Sequence, residues 1–158
     1  MKTVEKSSIV LLHGIFDVNF FDQLKKNKVE TVFVLEGRPL FETSKATIRE
    51  LLKRGITPYL ISDNMAGSLF YQGLVKEIWL SYQGESKEGF ICRIGALILA
   101  VLGKKHKVPV KLHFVPQDTE VLGKQEDILK FNGVQVAPKG TQAYVPLLDW
   151  VPEKYISQ

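Results

Sequence analysis

The chain has very little cysteine: a single residue, Cys92, among 158. An internal disulfide is therefore excluded, and such sparing thiol use suits a reducing cytoplasm. Long apolar runs are also lacking. The longest, over residues 96–102, is far too short to cross a bilayer, so no membrane is expected. Residues 1–6 (Met-Lys-Thr-Val-Glu-Lys) lack the apolar core and small-residue cleavage site of a signal peptide. Charge of one sign is not in excess: 21 Lys and Arg against 17 Asp and Glu give +4. That balance does not repel an anionic ligand, but it falls well short of a nucleic-acid arm. Repeats, low-complexity segments and a Gly-x-Gly-x-x-Gly after the first strand are missing too, which removes the dinucleotide fingerprint. No metal and no cofactor are expected. What remains, 45% apolar and 24% charged residues, is the composition of an ordinary folded protein, and the length fits one domain.

The chain alternates between two periodicities. Short apolar runs read as strands over residues 8–13, 31–35, 57–61, 77–81 and 108–115. Between them, apolar residues at helical spacing predict helices over 16–27, 43–54, 63–72 and 89–102. Gly55, Gly73 and Gly103 stand where helices stop, and Asp63 where one starts. Beyond Pro116 the pattern weakens to a short helix over 126–131 and a short strand over 134–136. Strands alternating with helices of ten to fourteen residues predict an α/β fold. We read a Rossmann-like three-layer domain with a mostly parallel sheet of five to seven strands and right-handed crossovers.

In such a sheet, ligands bind outside the carboxyl ends of the strands. The predicted ends carry His13-Gly14, Glu36-Gly37-Arg38, Ser62-Asp63-Asn64 and Ser81-Tyr82-Gln83. Helix N-termini beside them favour anions. The candidate ligand-binding residues are Arg38, Lys45, Asp63, Asn64 and Arg93, and the ligand is read as small and anionic. Each has a plainer reading. Arg38 could form a rim salt bridge, Asp63 could only cap its helix, and Lys45 could be a solvated helix charge. Arg93 interrupts an apolar helix and needs either a carboxylate or an anionic ligand. His13 reads first as a hydrogen-bonded core histidine, and Cys92 as packing. The clusters Lys25-Lys26-Asn27-Lys28 and Lys104-Lys105-His106-Lys107 complement helix dipoles, and nucleic-acid binding is not expected of them.

These residues resemble, in order, the C-terminal half of a known superfamily: the translation initiation factor 2B regulatory subunits, methylthioribose-1-phosphate isomerase and ribose-1,5-bisphosphate isomerase. Glu36-Gly37-Arg38-Pro39 with Lys45-Ala46-Thr47 is similar to the family's Glu-x-Arg-Pro segment and its downstream basic residue. Ser62-Asp63-Asn64-Met65-Ala66 resembles its Thr-Asp-Asn-Met-Ala turn, and Arg93-Ile94-Gly95 its Lys-Ile-Gly-Thr. Gly133 to Gly140 (Gly-Val-Gln-Val-Ala-Pro-Lys-Gly), followed by Tyr144, Pro146, Asp149 and Pro152, is similar to the closing signature.

The departures fall on the chemistry. The family isomerases use a cysteine after the first strand, where this chain has Gly14. They use an aspartate after the fourth, where it has Tyr82. Glycine cannot move a proton, and tyrosine is a poor substitute for a carboxylate at neutral pH. The family's N-terminal helical domain has no counterpart here, so residues 1–158 are expected to be its C-terminal domain alone. The resemblance thus implies a cytoplasmic, initiation factor 2B-like homodimer that has lost catalysis. It would bind a sugar phosphate or nucleotide, or a partner such as a translation factor or homologous subunit. The rival expectation is an aldose–ketose isomerase running on His13, Asp63 and Tyr82.

Overall fold

The computed structural model describes residues 8–157. Apolar residues in β1 (Ile9–His13), β2 (Thr31–Leu35) and β4 (Val75–Glu85) point alternately to the two faces of one sheet. On one face Val10, Leu12, Val32 and Val34 pack with Phe20, Phe21 and Leu24 of α1 (Val18–Lys26) and with Leu51 of α2 (Glu42–Lys53). On the other, Ile9, Leu11, Phe33, Ile78 and Leu80 meet Phe70 of α3 (Ala66–Tyr71) and Leu99 and Ala100 of α4 (Ala96–His106). Three layers result, because strands covered on both sides must be apolar on both sides. Each fully buried Phe or Leu contributes about 1.5–3 kcal/mol.

β3 (Thr57–Ile61), β2, β1 and β4 run parallel in that order, and β6 (Val110–Phe114) pairs parallel with the far side of β4. β5 (Gly89–Arg93) and β9 (Leu148–Pro152) add antiparallel pairs, completing a seven-stranded sheet. A short helix α5 (Glu126–Leu129) leads into a two-stranded hairpin, β7 (Lys130–Phe131) and β8 (Val134–Gln135). None of the helices among the described residues is long and apolar enough to cross a membrane.

Three expectations are corrected. Residues 89–102 are not one helix: Phe90, Ile91 and Cys92 pair with both β4 and β9, and the helix starts only after Gly95, at φ +98°. Gly89 also permits the close approach of Trp150, whose ring a Cβ would overlap. Residues 63–72 divide into a 3-10 turn, Asp63–Met65, and α3, and Asp63 does not cap them. The fourth strand runs to Glu85, well past the expected end at residue 81, because it turns into β5.

The N-terminus of α4 is held from a distance. The Asp149 carboxylate, on β9, accepts hydrogen bonds from Gly95 N (2.8 Å) and Leu97 N (3.0 Å). Replacing it, Asp149→Ala, should lower stability by about 1–2 kcal/mol, the usual size of a lost cap, read as a reduced urea midpoint with unchanged slope.

Candidate functional site

The carboxyl edge of the parallel strands is shaped by one side chain. Asp63 follows β3 and accepts from Gly37 N (2.9 Å) and Arg38 N (2.8 Å) after β2. It therefore holds the Arg38 loop, and it makes no capping bond to the turn it begins. Gly37 has φ +70°, and a Cβ there would overlap the Thr43 hydroxyl. Ser44 Oγ donates to Glu36 O (2.7 Å) and fastens the start of α2 to the same loop.

Helix termini at this edge differ. Asp17 caps α1 through Phe20 N (2.9 Å), and Asp149 occupies the end of α4. The first turn of α2 has no side-chain cap. Its Glu42 and Thr43 line a small cavity of about 20 Å³ with His13, Arg38, Arg93, Ile94 and Leu147. The uncapped N–H groups and two guanidinium groups make this the electropositive corner of the edge.

Arg38 lies over the rings of Phe41 (5.3 Å) and Phe131 (4.9 Å), and its buried Nη1 has no hydrogen-bond partner. Arg93 ends β5 rather than lying one turn into a helix. Its Nε and Nη2 donate to Gln117 Oε1 (3.2 and 3.1 Å), and Nη2 stands 3.5 Å from exposed Glu42. Burial lowers the Arg93 pKa, and Glu42 opposes that shift; an arginine stays charged regardless.

His13 Nε2 is 2.8 Å from Ile94 O, which can only accept, so Nε2 carries the proton and Nδ1 is a bare acceptor. Nδ1 is buried and unpartnered. Burial pushes the His13 pKa down, against the Ile94 carbonyl and the charges of Asp63 and Asp149. Burial thus favours the neutral ring.

Of the expected ligand residues, Arg38 and Arg93 meet in the cavity, joined by His13. Lys45 and Asn64 are exposed and do not line it. Asp63 stands behind the loop. Tyr82 is mid-strand, packed against Phe90 and Phe114 (centroids 5.2 Å each), so it is not at a strand end. Ser81 fills the space beside Gly14: its Oγ accepts from Ile15 N (2.9 Å), and a Cβ on residue 14 would overlap it. Gly14 also has φ +118°. Cys92 is buried, and burial pushes its thiol up to about 12, so it is no nucleophile at neutral pH. Sequence reasoning missed Glu42, Thr43 and Gln117. Their only signal was position: the first turn of α2, and the segment after Val115.

A second recess of about 190 Å³ adjoins the first. Two larger grooves, of about 390 and 340 Å³, lie at the opposite edge around Lys107 and Val108. Among the described residues, no unpartnered buried atom belongs to the residues that line either of them.

Comparison with known proteins gives a consistent pattern. The model of the initiation factor 2 subunit family matches residues 18–158. Methylthioribose-1-phosphate isomerase of Thermus thermophilus is 31% identical over 142 residues, covering 82% of this chain and 43% of that protein. The enzyme of the same name from Cronobacter sakazakii is 34% identical over 150 residues, 82% of this chain and 43% of its own. Among solved structures, the delta subunit of initiation factor eIF-2B from A. fulgidus superimposes with a TM-score of 0.81 at 23% identity, over 96% of this chain and 51% of that one. The chain thus spans about half the length of the relatives it matches.

One consequence of the buried imidazole is measurable. The folded state holds the His13 pKa below its ordinary value of 6.5, so on acidification the unfolded chain takes up the proton first. The unfolded state then binds more protons, so stability is full above about pH 6.5 and falls on acidification below it. Denaturant titrations between about pH 5 and 7 should show this loss, and His13→Gln should make the slope shallower.

Proposed function

The chain belongs to the initiation factor 2 subunit family, and from that premise we propose that it is a non-catalytic, cytoplasmic member that binds a small phosphorylated ligand, a sugar phosphate or nucleotide, at the Arg38 crevice. The observation that carries this reading is the unpartnered Arg38 Nη1 beside the uncapped first turn of α2. A buried guanidinium nitrogen without a partner costs on the order of 1–3 kcal/mol, and an anionic oxygen would recover it.

Loss of catalysis is supported by what surrounds the crevice. His13 lines it, but Asp63 is committed to two backbone N–H groups and Tyr82 packs among aromatic rings. The three groups of the isomerase reading do not converge. Restoring the family cysteine at Gly14 would meet both Ser81 and an unfavourable φ.

Calorimetric titration with ribose 5-phosphate should give saturable heat in the millimolar range or tighter, with affinity reduced about tenfold or more in Arg38→Ala, the scale of a lost charge-assisted contact. No conversion to the ketose is expected. Absence of heat at millimolar ligand would remove the reading, and turnover that His13→Ala abolishes would establish an isomerase in its place.

We also propose that the chain forms a homodimer. The segment beyond β6 exposes Val121, Leu122, Phe131, Val134, Val136 and Tyr144, more apolar surface than one stretch of a monomer usually leaves bare. The relative from A. fulgidus is itself named a subunit. Sedimentation velocity should give a dimer mass, and Leu122→Asp with Val134→Asp a monomer; a monomeric wild type would refute self-association.

A further inference from the structure

The edge opposite the Arg38 crevice carries two recesses, of about 390 and 340 Å³. They meet at Lys107 and Val108, which line both. The first lies between the end of α4 and the 3-10 turn Glu153–Tyr155 that follows β9. The second lies between the ends of α3 and α4 and the start of β4. Together they trace one path across the amino ends of β4 and β6, with Lys107 at the junction.

Lys76, Lys104, Lys107 and Lys154 line that path, and among the described residues no aspartate or glutamate does. None of the four lysines has an ion pair among the described residues. Glu77, beside Lys76 in the chain, is taken by Lys111 at 2.7 Å. Cations at a helix end complement its dipole, which accounts for Lys104 and Lys107 at the end of α4. It does not account for Lys76, in β4, or Lys154, in the 3-10 turn. The dipoles are also too small. The ends of α3 and α4 present about half a negative charge each, against four ammonium groups. Two of these are held together: Lys104 Nζ donates to Lys154 O at 2.7 Å, and both ammonium groups lie over the Tyr155 ring, at 5.7 and 5.1 Å. Lys107 holds φ +58°, where a helix end ordinarily has glycine. A charge thus stands where the two recesses meet.

We propose that this path binds single-stranded nucleic acid through its phosphates. Three observations choose that occupant among polyanions. The cations come from three separate elements and follow a recess rather than a flat face, which suits a flexible chain and not a bilayer or a duplex. All four are lysines. Arginine's fork matches a planar carboxylate, whereas ammonium groups act as point charges on phosphate. Tyr71 lines the second recess and is 88% exposed, a bare ring on which a base can stack. Charge and stacking of this kind hold a strand without reading its sequence. The path lies at the other edge of the sheet from Arg38 and stands independently of the reading above.

Fluorescence anisotropy of a labelled oligo-uridine of about twelve nucleotides, within the usual range of site sizes, tests this on the whole chain. At about 50 mM salt the dissociation constant should reach about 100 μM or tighter, the range of non-specific binding. Log affinity against log salt should fall with a slope of about −2 to −3, as three or four phosphate contacts on a single strand require. Lys107→Gln with Lys154→Gln should weaken binding about tenfold and flatten the slope by about 1.4. Tyr71→Ala should weaken it about fivefold or more at unchanged slope. Lys25→Gln with Lys26→Gln removes the same charge from exposed residues of α1 outside both recesses, and should change affinity by less than about twofold. Absence of binding, equal loss in the two double variants, or no effect of Tyr71→Ala overturns the proposal. A duplex of the same length that binds as tightly overturns it too. Poly-glutamate that displaces the oligonucleotide at equal charge concentration would make the occupant an acidic polypeptide and likewise overturn it.

Discussion

Two hydrogen bonds to a single carboxylate hold the crevice in shape. Asp63 takes the N–H groups of Gly37 and Arg38, which follow β2, onto a residue that follows β3. Without it, the loop between β2 and α2 would have two unsatisfied donors at a partly buried position, beside the residue that carries Arg38 out of the sheet. Everything electropositive at this edge follows from that anchor. The Arg38 guanidinium is laid between Phe41 and Phe131, α2 begins with its first turn facing the cavity, and Thr43 is drawn under Gly37. The two Asp63 oxygens accept from backbone donors, and Asp63 does not line the cavity.

The same economy governs the other helix ends. Asp17 and Asp149 neutralise the starts of α1 and α4, which leaves α2 as the long helix at this edge whose N-terminus no side chain caps. Three equivalent dipoles at one edge would otherwise make the site diffuse. With two of them satisfied internally, the field concentrates where the unpartnered Arg38, His13 and Thr43 atoms lie. The fold selects one position out of several that its topology offers.

Much of the fold was legible because its first half obeys local rules. β1 to β3, α1 and α2 follow apolar runs and helical spacing, and the structure moves their ends by only one or two residues. The failure at residues 89–102 has a specific cause. Phe90, Ile91 and Cys92 lie within an apolar stretch that suits either periodicity, and pairing with β4 and β9, distant in the chain, decides it. β9 itself was not foreseen, because Leu148, Asp149 and Trp150 carry no strong alternation. The site was half legible. Arg38 could be placed by topology alone, since it follows a strand end; Arg93 was expected inside a helix and instead ends β5. Lys45 and Asn64 could not be excluded, because side-chain direction within a first turn depends on where the helix begins. Glu42 and Gln117 gave no signal, since they matter only as neighbours of Arg93.

The pairing of Gly14 with Ser81 limits what residue 14 can be. A side chain at residue 14 and a hydroxyl at residue 81 compete for the same space. Here Ser81 takes it and satisfies Ile15 N, while the backbone at Gly14 adopts φ +118°, a conformation that only glycine holds without strain. The two positions are therefore coupled. Once the backbone has turned, a thiol at residue 14 has neither room nor an allowed conformation, and returning it requires Ser81 to yield and the strand end to rotate. Arg38 is held by Asp63 and two aromatic rings, while Thr47 of α2 donates to Gly14 O at 3.3 Å and so joins the helix beside Arg38 to the same turn.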